Sequence, residues 1–428
     1  MSDPRKIAYD VLVRCASAEQ YSNIALDTAI KRAELTPPDR GLLTALVYGV
    51  IEKQITLDAI IDSLCDRKSE DISPDVRTLL RLGLYQLAYL DRVPDHAAVN
   101  ETVNMTPKRS RGFVNAILRA FIRSGKEIPI PDKETDEIGY LSIKYSFCPA
   151  LCRTFIKHFG LARTEELFSA FGEHPDLTLR TNTLRISREE LIAKIGEQGI
   201  RALPTTASEV GIRVCDKSPV TELYGFADGL FFVQDEASQL CVKALDAKEG
   251  MRVLDACACP GSKSFGAAID MKNAGEVISC DLHRNKLSLV ESGATRLGIT
   301  ILTTEERDAR NTKEEWLGTF DRVLCDVPCS GFGVFAKKPE LRYKDPAASA
   351  ALPDIQLAIL KNASAYLKVG GKLVYSTCTL LPEENEENVS RFLAENNSFE
   401  RKEQRTLYPD INGTDGFFYA VLERVQKN

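Results

Sequence analysis

Residues 251–263, Met-Arg-Val-Leu-Asp-Ala-Cys-Ala-Cys-Pro-Gly-Ser-Lys, open with a short apolar run and close on an acid, two thiols, a Pro-Gly turn and a lysine. The same habit returns in Ser-Cys-Asp (279–281), Arg-Asp-Ala-Arg (307–310), Leu-Cys-Asp-Val-Pro-Cys-Ser-Gly (324–331) and Val-Tyr-Ser-Thr-Cys (374–378). Ligand and catalytic groups take this form at the carboxyl ends of strands in a doubly wound α/β sheet. The pattern predicts strands near 252–255, 276–280, 299–303, 320–325 and 372–376, with helices between them. Leu287, Val290, Ala294 and Leu297 mark one such helix; Ile355, Ile359, Leu360, Ala363 and Leu367 mark a later one, capped by Gly370-Gly371. Gly-Phe-Phe-Tyr-Ala-Val-Leu (416–422) reads as a last strand.

Upstream of this α/β region the character changes. A small α+β piece is expected, with a strand over 176–186, a helix over 188–198, a strand over 210–215, and Leu-Phe-Phe-Val-Gln-Asp-Glu-Ala-Ser (230–238) passing from strand to helix. Arg180-Thr-Asn182 and Gln234-Asp235 stand at its edges, where a surface role and a substrate contact are both open. Residues 4–126 read as helix throughout, so an all-α bundle is expected there. Thr36-Pro-Pro-Asp39 and Ser73-Pro-Asp each offer an N-cap with proline at the first helical position. Ser124-Gly125 and the prolines at 129 and 131 end the bundle in a linker. The expected division is 1–128, an all-α helical domain; 129–233, linker and small α+β subdomain; and 234–428, a Rossmann-like α/β domain.

With 428 residues, 44% hydrophobic and 27% charged, the composition is that of a multidomain globular protein. No run of apolar residues is long enough for a signal peptide core or a membrane span, so a cytoplasmic location without membrane attachment is expected. Twelve cysteines include no Cys-x-x-Cys pair, and His96, His158, His174 and His283 are scattered, so neither a disulfide framework nor a metal site is expected. A net charge of −6 argues against indiscriminate coating of nucleic acid. Locally, however, Lys108, Arg109, Arg111, Arg119, Arg123 and Lys126 occur without an acid between Thr102 and Lys126, and Lys337, Lys338, Arg342 and Lys344 form a second cluster. Two basic tracks suit a solvated face or an RNA backbone.

The strand-end residues suggest a chemistry. An acid, a Pro-Gly turn and a helix after the first strand make a nucleotide-type cradle. Asp281 can accept both ribose hydroxyls and Asp308 stands beside the expected adenine position. Gly-x-Gly-x-x-Gly is absent, which disfavours NAD. An acidic pocket free of phosphate-binding groups suits S-adenosyl-L-methionine, whose sulfonium and amino groups are positive; the plainer alternative makes these acids helix caps. The thiols of Cys378 and Cys329, with the Asp326 carboxylate and the Lys263 ammonium, match the harder task of methylating carbon 5 of a pyrimidine. That carbon becomes nucleophilic only after a thiolate adds to carbon 6.

The amino-terminal stretches Ile-Ala-Leu-Asp (24–27), Asp-Arg-Gly-Leu-Leu (39–43), Leu-Gly-Leu-Tyr-Gln-Leu (82–87), Pro-Asp-His-Ala-Ala-Val-Asn-Glu (94–101) and Gly-Phe-Val-Asn-Ala-Ile-Leu-Arg (112–119) resemble the NusB-type RNA-binding domain. Asp-x-Cys-Ala-x-Pro-Gly-x-Lys (255–263), Asp-Val-Pro-Cys-Ser-Gly-x-Gly (326–333), Tyr-Ser-Thr-Cys-Thr (375–379) and Glu-Asn-Glu (384–386) resemble the signatures of RNA cytosine-5 methyltransferases. Together they resemble the bacterial RsmB/Sun/Fmu group, which acts on 16S ribosomal RNA. The resemblance implies Cys378 as nucleophile, Cys329 as an aid to product release, and Asp326 as the group that hydrogen-bonds and protonates the base. It also implies S-adenosyl-L-methionine lying along Cys257, Ala258, Cys259, Pro260, Gly261, Ser262 and Lys263, with Asp281, Asp308 and Asp326 lining its pocket. The implied partner is small-subunit ribosomal RNA, unassembled or partly assembled, bound by a monomer. Three positions depart from the family: Cys259 replaces the usual Ala, Ser262 the usual Gly and Phe332 the usual Thr. Two rival readings stand beside this one: a non-catalytic RNA-binding or assembly factor, and an enzyme with Cys329 as nucleophile, as in DNA cytosine methyltransferases.

Overall fold

The computed structural model describes residues 3–16, 22–65, 68–173, 176–216 and 218–425. His174 lies outside the described residues. The chain divides into two compact units, Met1–Gly172 with Lys337–Pro346, and Glu173–Ala336 with Ala347–Asn428. Among the described residues, no helix is long and apolar enough to cross a membrane, and no group of His, Cys, Asp and Glu is placed to hold a metal ion.

The first unit is helical. Helices α1 (Pro4–Ala16), α2 (Ser22–Arg32), α3 (Pro37–Glu52), α4 (Gln54–Leu64), α5 (Pro74–Tyr89), α6 (Asp95–Met105) and α7 (Arg111–Arg123) share one core, in which Leu46, Ile60, Leu80, Leu84, Leu118 and Phe121 are wholly buried. Thr36 caps α3 as expected, its hydroxyl accepting the Asp39 N–H. Ser73 makes no such bond at α5, which starts on Pro74 with Asp75 in its first turn; the missing N–H of proline and the dipole suffice there. On α7 the inward stripe is Val114, Ile117, Leu118 and Phe121, while Arg119 and Arg123 face outward. Lys126 pairs with Asp95 at 2.8 Å and Arg111 donates to the carbonyls of Asn104 and Thr106, so these two are engaged locally. Three further helices, α8 (Glu137–Tyr145), α9 (Pro149–Phe159) and α10 (Leu161–Ala170), complete the run. Phe147 stacks on Phe168 in their core, and Phe155 tilts against the same ring.

Residues 337–346 belong to this unit although they come much later in the chain. Arg342 is only 1% exposed. Its guanidinium donates to the carbonyls of Tyr145 (2.9 Å) and Phe171 (2.7 Å), stands 3.6 Å from Glu52 and lies 4.5 Å from the centre of the Phe147 ring. The Tyr343 hydroxyl accepts the Gln54 N–H at 3.0 Å and reaches the Ile51 and Glu52 carbonyls at 2.6 and 2.8 Å. The second basic cluster is therefore not one surface track: Lys337 and Lys338 are exposed, whereas Arg342 is core.

The second unit begins with a small antiparallel sheet in the order β2-β3-β1-β4, formed by β1 (Leu177–Thr181), β2 (Ala202–Pro204), β3 (Gly211–Val214) and β4 (Phe231–Val233). Helix α11 (Arg188–Glu197) starts with a Ser187/Glu190 capping box and seats Leu191 and Ile195 against Leu179, Ile212 and Phe231. β1 is shorter than the sequence pattern indicates. Asn182 ends it by donating to the Gly229 and Leu297 carbonyls while its own oxygen accepts the Leu184 N–H.

Helix α12 (Glu236–Leu245) then leads into the large sheet. Its elements are β5 (Arg252–Asp255), α13 (Ser262–Asp270), β6 (Glu276–Asp281), α14 (Arg284–Leu297), β7 (Leu302–Glu306), β8 (Phe320–Asp326), α15 (Leu352–Ala365), β9 (Leu367–Thr377), α16 (Glu386–Glu395), β10 (Phe399–Leu407), the short α17 (Pro409–Asn412) and β11 (Phe417–Arg424). The order is β10-β11-β9-β8-β5-β6-β7. Strands β5 to β9 pair in parallel, and β11 and β10 join antiparallel beside β9. The order reverses between β5 and β8, and a crevice outside the carboxyl ends of these strands is where such sheets take ligands.

Two expectations need correction. The third parallel strand runs over 302–306, because Gly298 turns left-handed (φ 73°) and the Ile299 N–H closes α14 onto Ala294. Helix α15 stops at Ala365, and Leu367 already pairs with Phe320 in β9. Gly370 and Gly371 form no cap; they lie in β9 where the register slips between the Phe320–Leu367 and Arg322–Lys372 pairs. A Cβ on Gly371 would meet a Leu367 methyl at 2.8 Å and the Asp321 carbonyl at 3.1 Å.

Candidate active site

The carboxyl ends of β8 and β9 carry the reacting groups. Asp326 ends β8 and Thr377 ends β9, so Cys329 and Cys378 follow on loops from neighbouring strands. Their sulfurs stand 3.1 Å apart, and the Cys378 N–H points at the Cys329 sulfur at 3.3 Å. Both cysteines are half-buried, and neither is in a disulfide. The Asp326 carboxylate accepts the Lys263 ammonium at 2.6 Å on one oxygen and the Ser376 hydroxyl at 2.8 Å on the other. Lys263, 8% exposed, comes from the first turn of α13. Burial alone would lower its pKa, but the charge and hydrogen bond of Asp326 and the nearby Cys241 and Cys378 thiols drive the net shift upward. Lys263 is therefore a fixed cation at neutral pH, electrically coupled to Cys378.

The Cys329 thiol is pushed well above its ordinary value, first by its hydrogen bond to Cys378, then by burial, then by the Cys378 and Glu384 charges. Two thiols in contact cannot both ionise, so one proton stays on the pair. The fixed charges nearby are unequal: a cation is coupled to Cys378, an anion to Cys329.

The cradle at the end of β5 follows the expected course. The chain turns through Cys257, Ala258, Cys259 and Pro260, with a cis Cys259–Pro260 peptide, into Gly261 at φ 108°. A Cβ at Gly261 would meet the Phe265 ring at 2.6 Å, so only glycine fits. Ser262 opens α13, and its carbonyl accepts the Gln234 side chain at 3.1 Å. Asp281, at the end of β6, accepts the His283 N–H at 2.9 Å and a hydrogen bond from the Cys259 thiol. Burial, then the Asp281 charge and this bond, push Cys259 up to about 12. Asp308 lies beyond β7, where Arg310 holds it with a forked pair of bonds of 2.9 and 2.6 Å. That pairing lowers its pKa and offsets its charge.

The donor set suits a cationic nucleoside. Asp281 rims the cradle, and the cradle's one lysine is committed to Asp326 rather than available to a phosphate. The structure brings Lys263, Asp326, Cys329 and Cys378 together, with residues 257–262 and Asp281 on the adjoining strand ends. Asp308 stands apart with its own arginine. Phe332 is wholly buried and stacked on Phe335 at 5.8 Å, so its extra bulk is used in packing. Arg180, which reads as an edge residue in the sequence, is 2% exposed and donates to Asp270 (2.6 Å) on α13. With Gln234 it ties the small sheet to the helix that carries Lys263, a contact invisible to local pattern.

Asp255, 1% exposed, accepts the Ser264 hydroxyl at 2.6 Å, and its other oxygen has no hydrogen-bond partner. Burial first, and the Asp326 charge after it, raise its pKa to about 7 against the relief given by Ser264. The folded state thus keeps a proton that the unfolded chain releases near pH 4, and folding stability falls as pH rises from about 4 to about 7. Asp255→Asn should match wild type below pH 4 and exceed it above pH 8 by a few kcal/mol (order of magnitude) in urea unfolding. Parallel stability curves for the two proteins across this range would contradict the assignment.

The fold and the site together define a Rossmann-like methyltransferase. Residues 242–423 match the model of the 16S rRNA methyltransferase RsmB/F family, residues 2–123 the NusB family, and residues 150–221 the ferredoxin-like domain of RsmF/B-like methyltransferases. A Bacillus subtilis (strain 168) protein named probable ribosomal RNA small subunit methyltransferase B is 37% identical, over 98% of each chain. The ribosomal RNA small subunit methyltransferase B of Pseudomonas syringae pv. tomato is 32% identical over 99% of this chain and 97% of its own. Among solved structures, PH0851 superposes with a TM-score of 0.83 at 25% identity over 99% of both chains. A methyltransferase homologue from Pyrococcus horikoshii gives 0.61 at 25% identity, over 68% of this chain and 100% of its own. The chain belongs to the ribosomal RNA small subunit methyltransferase B (RsmB) family.

Proposed function

We propose that this protein transfers a methyl group from S-adenosyl-L-methionine to carbon 5 of a cytidine in small-subunit ribosomal RNA, through a covalent cysteine–cytosine intermediate. The observation that carries the proposal is the pair of thiols 3.1 Å apart beside the Lys263–Asp326 ion pair. An amine methyltransferase has no use for such a pair. A cytosine methyltransferase needs a thiolate for carbon 6, a proton source for the ring and a base for carbon 5.

In this reading Cys378 is the nucleophile, because Lys263 favours the anion there. Its sulfur adds to carbon 6 while the Asp326–Lys263 pair hydrogen-bonds the ring nitrogen and supplies a proton, leaving carbon 5 electron-rich. S-adenosyl-L-methionine, when bound along residues 257–263 with Asp281 on its ribose, supplies the methyl group. Loss of the carbon 5 proton to water then expels the Cys378 thiolate, and the ring nitrogen returns its proton to the Asp326–Lys263 pair. The protonated Cys329, in contact with that sulfur, assists this last step. The base must be unpaired or flipped to reach the thiol. The exposed Lys108, Arg109, Arg119 and Arg123 on and before α7 supply the grip on RNA. The functional division is 1–128 for RNA, 129–233 as linker and brace, and 234–428 for catalysis, in a cytoplasmic monomer that needs no metal.

The test is transfer of labelled methyl to unmodified small-subunit ribosomal RNA, naked and in partly assembled particles. Label on carbon 5 of a cytosine is the expected result. RNA bound without label on any substrate would leave a binding-only assembly factor.

A further inference from the structure

A three-residue turn, Pro382–Glu384, and the Asn385 that follows it hold both cysteine loops at once. Glu384 is 2% exposed. One of its oxygens accepts the Ser330 N–H at 3.0 Å and the Gln356 amide at 2.7 Å, and the same amide donates to the Pro328 carbonyl at 2.9 Å. The backbone is thus gripped on both sides of Cys329. Asn385 does the same for Cys378: its oxygen accepts the Thr377 hydroxyl at 2.5 Å, and its nitrogen donates to the Thr379 carbonyl at 2.9 Å. The Ser330 and Thr379 hydroxyls then join the two loops at 2.8 Å. Tyr375 donates to the Glu384 carbonyl at 2.6 Å, which fixes the turn to β9.

The second Glu384 oxygen is buried and has no hydrogen-bond partner. A carboxylate so placed is more than an anchor. It directs a poorly screened negative charge at the loop it holds, and that charge acts on Cys329. We propose that Glu384 and Asn385 are positioning residues that give the two cysteines different tasks: Asn385 sets Cys378 for attack, and the Glu384 charge opposes a second anion at Cys329. The proposal rests on the covalent mechanism above for its purpose, though not for its measurement. The groups facing Cys329 are Cys378, Glu384 and, through the same cluster, Tyr375.

The experiment is alkylation of the full-length protein by iodoacetamide, followed by peptide mapping of Cys329 and Cys378 from pH 6 to 10, in wild type, Glu384→Gln and Glu384→Ala. In wild type, Cys378 reacts first and Cys329 lags. Glu384→Gln retains a carbonyl acceptor for Ser330 and removes the charge. Its Cys329 should react about threefold faster or more at pH 8, with the pH profile displaced downward, because thiolate fraction rises faster than nucleophilicity falls. Acceleration in Glu384→Ala alone would reduce Glu384 to an anchor and overturn the electrostatic assignment; unchanged rates in both variants would overturn it too. Alkylation needs neither RNA nor methyl donor. A wild type that labels no RNA therefore defeats the proposed reaction while leaving this result standing.

Discussion

Cys378→Ala loses methyl transfer to small-subunit ribosomal RNA by a factor on the order of 10⁴ or more, because removing a covalent nucleophile removes the step on which all later ones depend. RNA binding is unchanged, since the helical unit is untouched. Cys329→Ala behaves differently: it forms the bond to carbon 6 but releases product slowly, so an RNA–protein adduct stable to denaturation accumulates. Rates of label incorporation and gel analysis of denatured reactions check both variants. Equal label from wild type and Cys378→Ala would move the nucleophile to Cys329, and the electrostatic argument from Lys263 and Glu384 would fall with it.

Arg342→Ala destabilises the helical unit by about 3–5 kcal/mol, the usual cost of removing one partner from a buried ionic contact. The loss leaves the Glu52 carboxylate, 7% exposed on its side chain, with Lys53 at 2.8 Å but without the guanidinium. It also strips the carbonyls of Tyr145 and Phe171 of a donor and the Phe147 ring of its stacked cation. Arg342→Lys recovers only part of this, because an ammonium cannot reproduce a fork that reaches two carbonyls from one plane. Urea unfolding of the full chain, followed by a probe of helix content, reads the difference. A loss below about 1 kcal/mol in Arg342→Ala would show that the segment is merely laid on the bundle.

Much of the α/β half is legible because strand ends announce themselves: Asp255, Asp281, Asp326 and Cys378 each close an apolar run, and each stands at or just past a strand end. The Thr36 cap is legible for a similar reason, being written in residues a single turn apart. Other features depend on partners distant in sequence. Nothing near Glu384 signals that it will hold the Ser330 N–H, 54 positions away. Arg180 looks like a surface arginine until Asp270 is placed beside it. Gly370-Gly371 looks like a helix stop, because composition cannot separate a C-cap from a bulge when both need a missing Cβ. Arg342 misleads most: three lysines surround it, and charge patterning alone assigns all four to solvent.

The burial of Arg342 and Tyr343 bears on the order in which the protein is made. Almost all of the helical unit leaves the ribosome early, carrying an open slot lined by the Tyr145 and Phe171 carbonyls, the Glu52 carboxylate and the backbone at Ile51. The residues that fill it are translated only after the Pro-Cys loop. Domains generally fold as units from the amino terminus, but here the first unit stays unfinished until β5 to β8 have been synthesised. A chain that stops before residue 342 presents a helical body that lacks the guanidinium and the phenol ring of this slot, the kind of opening that proteases find. The insertion thus acts as a proof of length, by which the helical unit reaches full stability only in a chain that already carries β5 to β8 and the first of the two cysteine loops.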